Sequence, residues 1–314
     1  MAGRRPTPEP VAGQRPVSTG IAALIPDGDG RRGWTVYVNG VESSHVDLDD
    51  PTRLDFEYMR WIADALDVLA TEGEPLRVVH LGGAGCTLAQ YVAATRPLSR
   101  QLVVEIDAGV LELAKQAFGL RSTSRLRLRI GDARAELAAE PDASADVVIR
   151  DAFSGATTPG HLLTRSFVTE AARALRPGGV YLANLADDPK LGMARREAAT
   201  ALAVFAHVGL VAEPGQLNGR RYGNVVIAGS DQPLPLQDWG RRLSSGAIRA
   251  RLLDTEQVRA FASGRRPIED PAEARAGEGA CFVYDDMLGP AQTADRDRTP
   301  DQGMMTVTPD DGAC

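Results

Sequence analysis

Residues 77–107, RVVHLGGAGCTLAQYVAATRPLSRQLVVEID, constrain the fold of this chain more than any other stretch. An apolar run over 78–81 breaks into Gly82, Gly83, Ala84 and Gly85, a segment of helical spacing follows, and a second apolar run ends in Glu105 and Asp107. Taken in order, that is strand, glycine turn, helix, strand. It is how a parallel sheet begins when glycines let the backbone approach a nucleotide and an acid about 20 residues on takes the ribose hydroxyls. Glu105 stands 20 residues after Gly85, although Leu88 occupies the place of the fingerprint's third glycine.

The same alternation continues downstream. Helical spacing over 108–118 leads to strands over 126–130 and 147–149, a helix over 164–175, a strand over 180–185, a helix over 193–205 and a strand over 208–212. Repeated strand and helix imply an α/β fold with a parallel sheet wrapped on both faces. The seventh strand, 224–228, follows only a loop, so nothing carries the chain back across the sheet and this last strand should run antiparallel. Arg125, Arg127 and Arg129 alternate with apolar residues in the third strand. A strand buried on both faces would not tolerate them, which places this one at a sheet edge with a solvated face rather than against nucleic acid.

Ahead of the sheet, Asp27 to Gly30 and Asn39-Gly40 mark turns between β-like pieces, and Met59, Ile62, Leu66 and Leu69 give 56–69 a helical stripe. The expected organisation is a disordered start over 1–17 and a small β-hairpin domain over 18–54. A Rossmann-type nucleoside-binding domain follows over 55–230, then a helical extension over 231–288 and a disordered tail over 289–314. Within the extension, Asp254 and Gln257 have the spacing of a capping box.

A net charge of -7 and a pI near 5.3 argue against nucleic acid or an anionic membrane as partner and suit a cationic small molecule. No apolar run approaches the roughly 18 residues of a membrane span, and the start, MAGRRPTPEP, lacks a secretory core, so the expected location is the cytoplasm. Cys86, Cys281 and Cys314 are too scattered for a disulfide framework or a zinc site, and Cys86 reads as buried filler at a helix start.

Ligands of open parallel sheets bind beyond the carboxyl ends of the strands. Here four successive strands end in the Gly82–Gly85 turn, in Glu105 and Asp107, in Gly131-Asp132-Ala133 and in Asp151. One such acid is commonly a helix cap, but four endings of this kind at one rim favour an adenosine site. A P-loop is not formed, because no Lys-Ser/Thr follows the glycines.

The runs HLGGAGC, VVEID, GDA and VVIRDAF, preceded by VNGVESSHVDLDDPTRLDFEYMRW, resemble the spermidine synthase family, and most of all its actinobacterial spermidine-synthase-like branch, over residues 36–229. The resemblance implies a class I methyltransferase-like sheet behind a small amino-terminal β-domain. It also implies a homodimer and transfer of an aminopropyl group from decarboxylated S-adenosylmethionine to a small-molecule amine, with no metal. By position it makes Glu105 the ribose ligand, Asp132 the adenine ligand, Tyr58 a cleft residue and Asp151 the general base. The chain departs from the family where Gly85 replaces an acid that grips the donor's amine and Ser154 replaces the second acid of Asp-x-x-Asp. Met59 follows the cleft tyrosine, and Ser43 or Ser44 stands for a glutamine. Asp55, Glu57, Asp187 and Asp188 are the candidates to compensate. Two alternatives stay open. One is a methyltransferase using S-adenosylmethionine, whose carboxylate would meet bare amides near Gly85; the other is a non-catalytic nucleoside-binding protein.

Overall fold

The computed structural model describes residues 9–246 and 249–271, so the expected tail, the extension beyond 271, Cys281 and Cys314 lie outside the described residues. Four antiparallel strands come first: β1 (Gly13–Val17), β2 (Gly20–Pro26), β3 (Gly33–Val38) and β4 (Val41–Asp47), hydrogen-bonded in that order. Asn39 and Gly40 both take positive φ, 52° and 80°, the conformation a two-residue hairpin needs. β1 corrects the expectation of disorder over 13–17, while residues 1–8 of that expected stretch lie outside the described residues. The strand pairs residue by residue with β2 from Gly13↔Leu24 to Val17↔Gly20, and its hydrogen bonds are backbone, so a Pro- and Arg-rich composition hides it.

After α1 (Glu57–Leu69) come β5 (Arg77–Leu81), α2 (Thr87–Thr95), β6 (Arg100–Glu105), α3 (Ala108–Phe118), β7 (Leu126–Ile130), α4 (Ala133–Ala138) and β8 (Ala145–Arg150). The chain continues through α5 (Arg165–Ala174), β9 (Leu175–Asp187), α6 (Gly192–Leu202), β10 (His207–Ala212), α7 (Pro214–Leu217) and β11 (Gly223–Ser230). It closes with α8 (Leu236–Ser245), β12 (Arg251–Leu253) and α9 (Thr255–Phe261). The large sheet has the order β12-β10-β11-β9-β8-β5-β6-β7. Strands β9, β8, β5, β6 and β7 are parallel, and β11 runs antiparallel to both β9 and β10, as its short connection requires.

An eighth, edge strand adds to the seven expected, all of which are present. β12 pairs with β10 at Leu210, Val211 and Ala212, in a stretch read as helical because three residues carry no period of their own. β7 does lie at the edge, where Arg129 meets Glu136 at 2.7 Å and Arg127 meets Glu140 at 3.4 Å.

The inner strands are apolar on both sides because both sides are covered. Val79, Leu81, Val148 and Tyr181 pack beneath α4, α5, α6 and α9. Val78, Val147, Ile149 and Leu182 pack beneath α1, α2 and α8. A third cluster joins Leu24, Trp34, Val36 and Val46 of the small sheet to Ala89 of α2 and Leu111 and Ala114 of α3, laying that sheet beside the carboxyl rim of the large one.

Candidate active site

The ends of β5 and β8 meet at the glycine turn. Asp151 N–H donates to the Leu81 carbonyl at 2.8 Å, and a Cβ on Gly82 would sit 2.2 Å from the Asp151 carbonyl oxygen. Only glycine fits there, and its φ of +92° is one that glycine reaches without strain. Glu105, at the end of β6, turns back onto the same loop. Its Oε2 accepts from the amides of Gly83 (3.2 Å) and Ala84 (3.0 Å), and its Oε1 from the Asp107 amide.

A cleft of about 630 Å³ opens over this rim, within the range of small-ligand sites. Tyr58, Gly82, Gly83, Glu105, Asp107, Asp132, Ala133 and Asp151 all line it. The three carboxylates singled out from sequence, Glu105, Asp132 and Asp151, therefore face one space. Asp151 is half-buried. Its Oδ2 accepts from the Tyr58 hydroxyl at 3.1 Å and its Oδ1 from Asn184 Nδ2 at 3.0 Å. Burial raises its pKa, and the Asn184 and Tyr58 hydrogen bonds and the charge of Arg150 oppose that rise. Burial and the neighbouring carboxylate push the Tyr58 phenol well above its usual value, so it is held as a donor.

Asp132 caps α4 through the amides of Arg134 and Ala135, both at 3.0 Å, and its other oxygen lies 2.7 Å from His161 Nε2. Asp107 lines the cleft, and both its carboxylate oxygens, like those of Glu105, accept hydrogen bonds from the protein. It caps α3 at Gly109 and Val110 and accepts from Ser18 N, Thr19 N and the Thr19 hydroxyl. Gly85 departs from expectation. It faces β4 rather than the cleft, its amide donates to Ser44 Oγ at 2.9 Å, and a Cβ would meet Ser44 Cβ at 2.9 Å. Ser43 lines the cleft instead. Every amide of the turn is thus occupied, Gly82 by Val104 and Cys86 by Gly83. Cys86 is buried, and burial pushes its thiol up to about 12, consistent with a packing role.

Sequence reading missed Asn184 and His161. The first left a signal, a lone amide in the otherwise apolar run 180–185; the second left none. Of the four acids able to compensate for Gly85 and Ser154, only Glu57 lines the cleft. Asp55 is half-exposed beside Arg53, and Asp187 accepts from the Asp188 and Ala194 amides.

Residues 56–214 match the spermine/spermidine synthase domain. A polyamine aminopropyltransferase of Vibrio vulnificus (strain CMCP6) is 32% identical over 155 residues, 49% of this chain and 50% of the relative. The chain spans about half the length of the curated aminopropyltransferases it matches. The crystal structure of a probable spermidine synthase from Corynebacterium glutamicum ATCC 13032 superposes with a TM-score of 0.79 at 38% identity, covering 86% of this chain and 100% of that one. Human Methyltransferase-like protein 13 in complex with SAH, at 23% identity, TM-score 0.50 and coverage of 74% and 99%, shares the fold alone. On the matched domain and the structural likeness over 86% of its length, the chain belongs to the spermine/spermidine synthase family.

Proposed function

We propose that the protein transfers an aminopropyl group from decarboxylated S-adenosylmethionine to a small amine, with Asp151 as general base. The observation that carries this reading is the half-buried Asp151, held between Tyr58 and Asn184 in the cleft that Glu105 and Asp132 also line. An ammonium is no nucleophile, and a carboxylate of raised proton affinity within hydrogen-bond reach can remove its proton. The freed amine attacks the carbon beside the sulfonium. That carbon–sulfur bond breaks, its electron pair stays on sulfur, and neutral methylthioadenosine leaves. On this reading Glu105 holds the ribose, while Asp132 exchanges His161 for the adenine amino group.

Two further features support it. Asn184 Oδ1 is buried without a hydrogen-bond partner among the described residues, an acceptor that an amine's N–H would satisfy. Among the described residues, six carboxylates and no lysine or arginine line the cleft. That favours a donor bearing sulfonium and ammonium over one carrying a carboxylate. The methyltransferase alternative loses its footing, because the amides it needs near Gly85 are already bonded.

Incubation with decarboxylated S-adenosylmethionine and putrescine should yield methylthioadenosine and spermidine. No product across a panel of amines would refute the reading. The proposal extends to a cytoplasmic homodimer, supported by Val11, Ile21 and Ile25 exposed on or beside the small sheet; light scattering tests the dimer.

A further inference from the structure

The cleft lacks the two acids that Gly85 and Ser154 replace, yet two of its six carboxylates are incompletely used: Glu42, which is exposed and accepts only from the Tyr37 hydroxyl, and Glu57, which is half-buried. Glu105, Asp107, Asp132 and Asp151 each accept hydrogen bonds on both oxygens. Glu57, the first residue of α1, accepts only one, from Asn224 Nδ2 to Oε1 at 3.1 Å. Its Oε2 has no donor among the described residues.

The surroundings point to an amine. Glu57 precedes Tyr58, whose hydroxyl touches Asp151. Asn224 on β11 pairs with Ala186 on β9, and Asn184 is two residues before Ala186, so the two asparagines lie diagonally on one face of the sheet. Such neighbours are roughly 7–8 Å apart. Asp151, Asn184, Asn224 and Glu57 therefore form a row along the cleft, with the proposed base at one end and a half-satisfied carboxylate at the other. Between them stands the orphan Asn184 oxygen, an independent sign of a missing N–H donor. Position at the first turn of α1 also favours negative charge on Glu57.

We infer that Glu57 is a specificity-determining residue that seats the ammonium remote from the reacting amine, so charge recognition has moved from the loop after β8 to the start of α1. The inference rests on the aminopropyl-transfer reading. It makes the acceptor a short aliphatic diamine and disfavours a monoamine of equal length.

The test compares putrescine with n-butylamine, in the wild type and in Glu57→Gln, by initial rates. A charge-assisted contact of this kind predicts that the variant's kcat/KM ratio for putrescine over n-butylamine falls about tenfold or more, chiefly through the KM for putrescine. A ratio unchanged by the substitution overturns the inference while leaving the transferase reading intact. If neither amine is a substrate, the reading of function fails, and calorimetry then decides for Glu57 by itself. With methylthioadenosine present, putrescine should bind the wild type about tenfold or more tighter than the variant. Equal binding, or no binding to either, overturns it.

Discussion

Burial raises the proton affinity of Asp151, and hydrogen bonds from Asn184 and Tyr58 return part of what desolvation takes from its charged form. A carboxylate whose folded pKa is raised holds its stability at low pH and loses it as pH rises through that value. Asp151→Asn should therefore have two opposite effects. Aminopropyl transfer falls by roughly 10²–10⁴-fold, while the melting temperature rises, with the widest gap from wild type at neutral to alkaline pH and little gap in acid. Gly85→Asp, which restores the family's acid, should not restore its function. The new side chain would strike Ser44 Cβ and Val46 Cγ2, 2.9 and 3.1 Å from the added Cβ. Overpacking of this kind costs about 1–3 kcal/mol, read as a lower midpoint in urea. Glu105, Asp132 and Asp151 were legible from sequence because strand endings place them at one rim. Whether a turn acid stays open to a ligand was not. Asp107 has the same sequence context as Glu105, and nothing in that context announces the amide and hydroxyl that Thr19 brings to it from 88 residues away.

Among the elements, the β1–β2 hairpin packs on α3 and is hydrogen-bonded to it through that one carboxylate. Burial alone would raise the pKa of Asp107, but the Thr19 hydroxyl and the amides of Ser18, Thr19 and Val110 outweigh it and hold it at about 2, below its ordinary 3.8. The stabilisation is complete above the ordinary value and is lost as pH falls towards 2. Asp107→Ala should lower stability by about 3 kcal/mol at pH 7, a lost cap plus lost bonds to a charged acceptor. The difference from wild type should close between pH 4 and 2, as denaturant titrations at stepped pH would show. Long alternating segments were legible because both faces of the inner strands are buried and the apolar run is unbroken. β1 and β12 were not, since each is short, lies at a sheet edge and draws its pairing from backbone rather than from pattern.

For the molecule as a whole, charge and topology converge. The carboxyl ends of β6, β7 and β8 collect acids at one rim beside the glycine turn of β5, and the small sheet with α1 closes the cleft with Glu42 and Glu57, so among the described residues six carboxylates and no lysine or arginine line the space. The net charge of -7 gives the surrounding field the same sign. A donor bearing two positive charges is drawn into such a cleft, and salt weakens that attraction over a Debye length of about 10 Å at 0.1 M. The kcat/KM for decarboxylated S-adenosylmethionine should therefore fall roughly 3–10-fold as ionic strength rises from about 0.05 to 0.5 M. Methylthioadenosine, which is neutral, should bind with nearly the same affinity across that range. Parallel salt titrations of rate and of product binding separate steering by the cleft's charge from a general effect of salt on the fold, since the latter would weaken both.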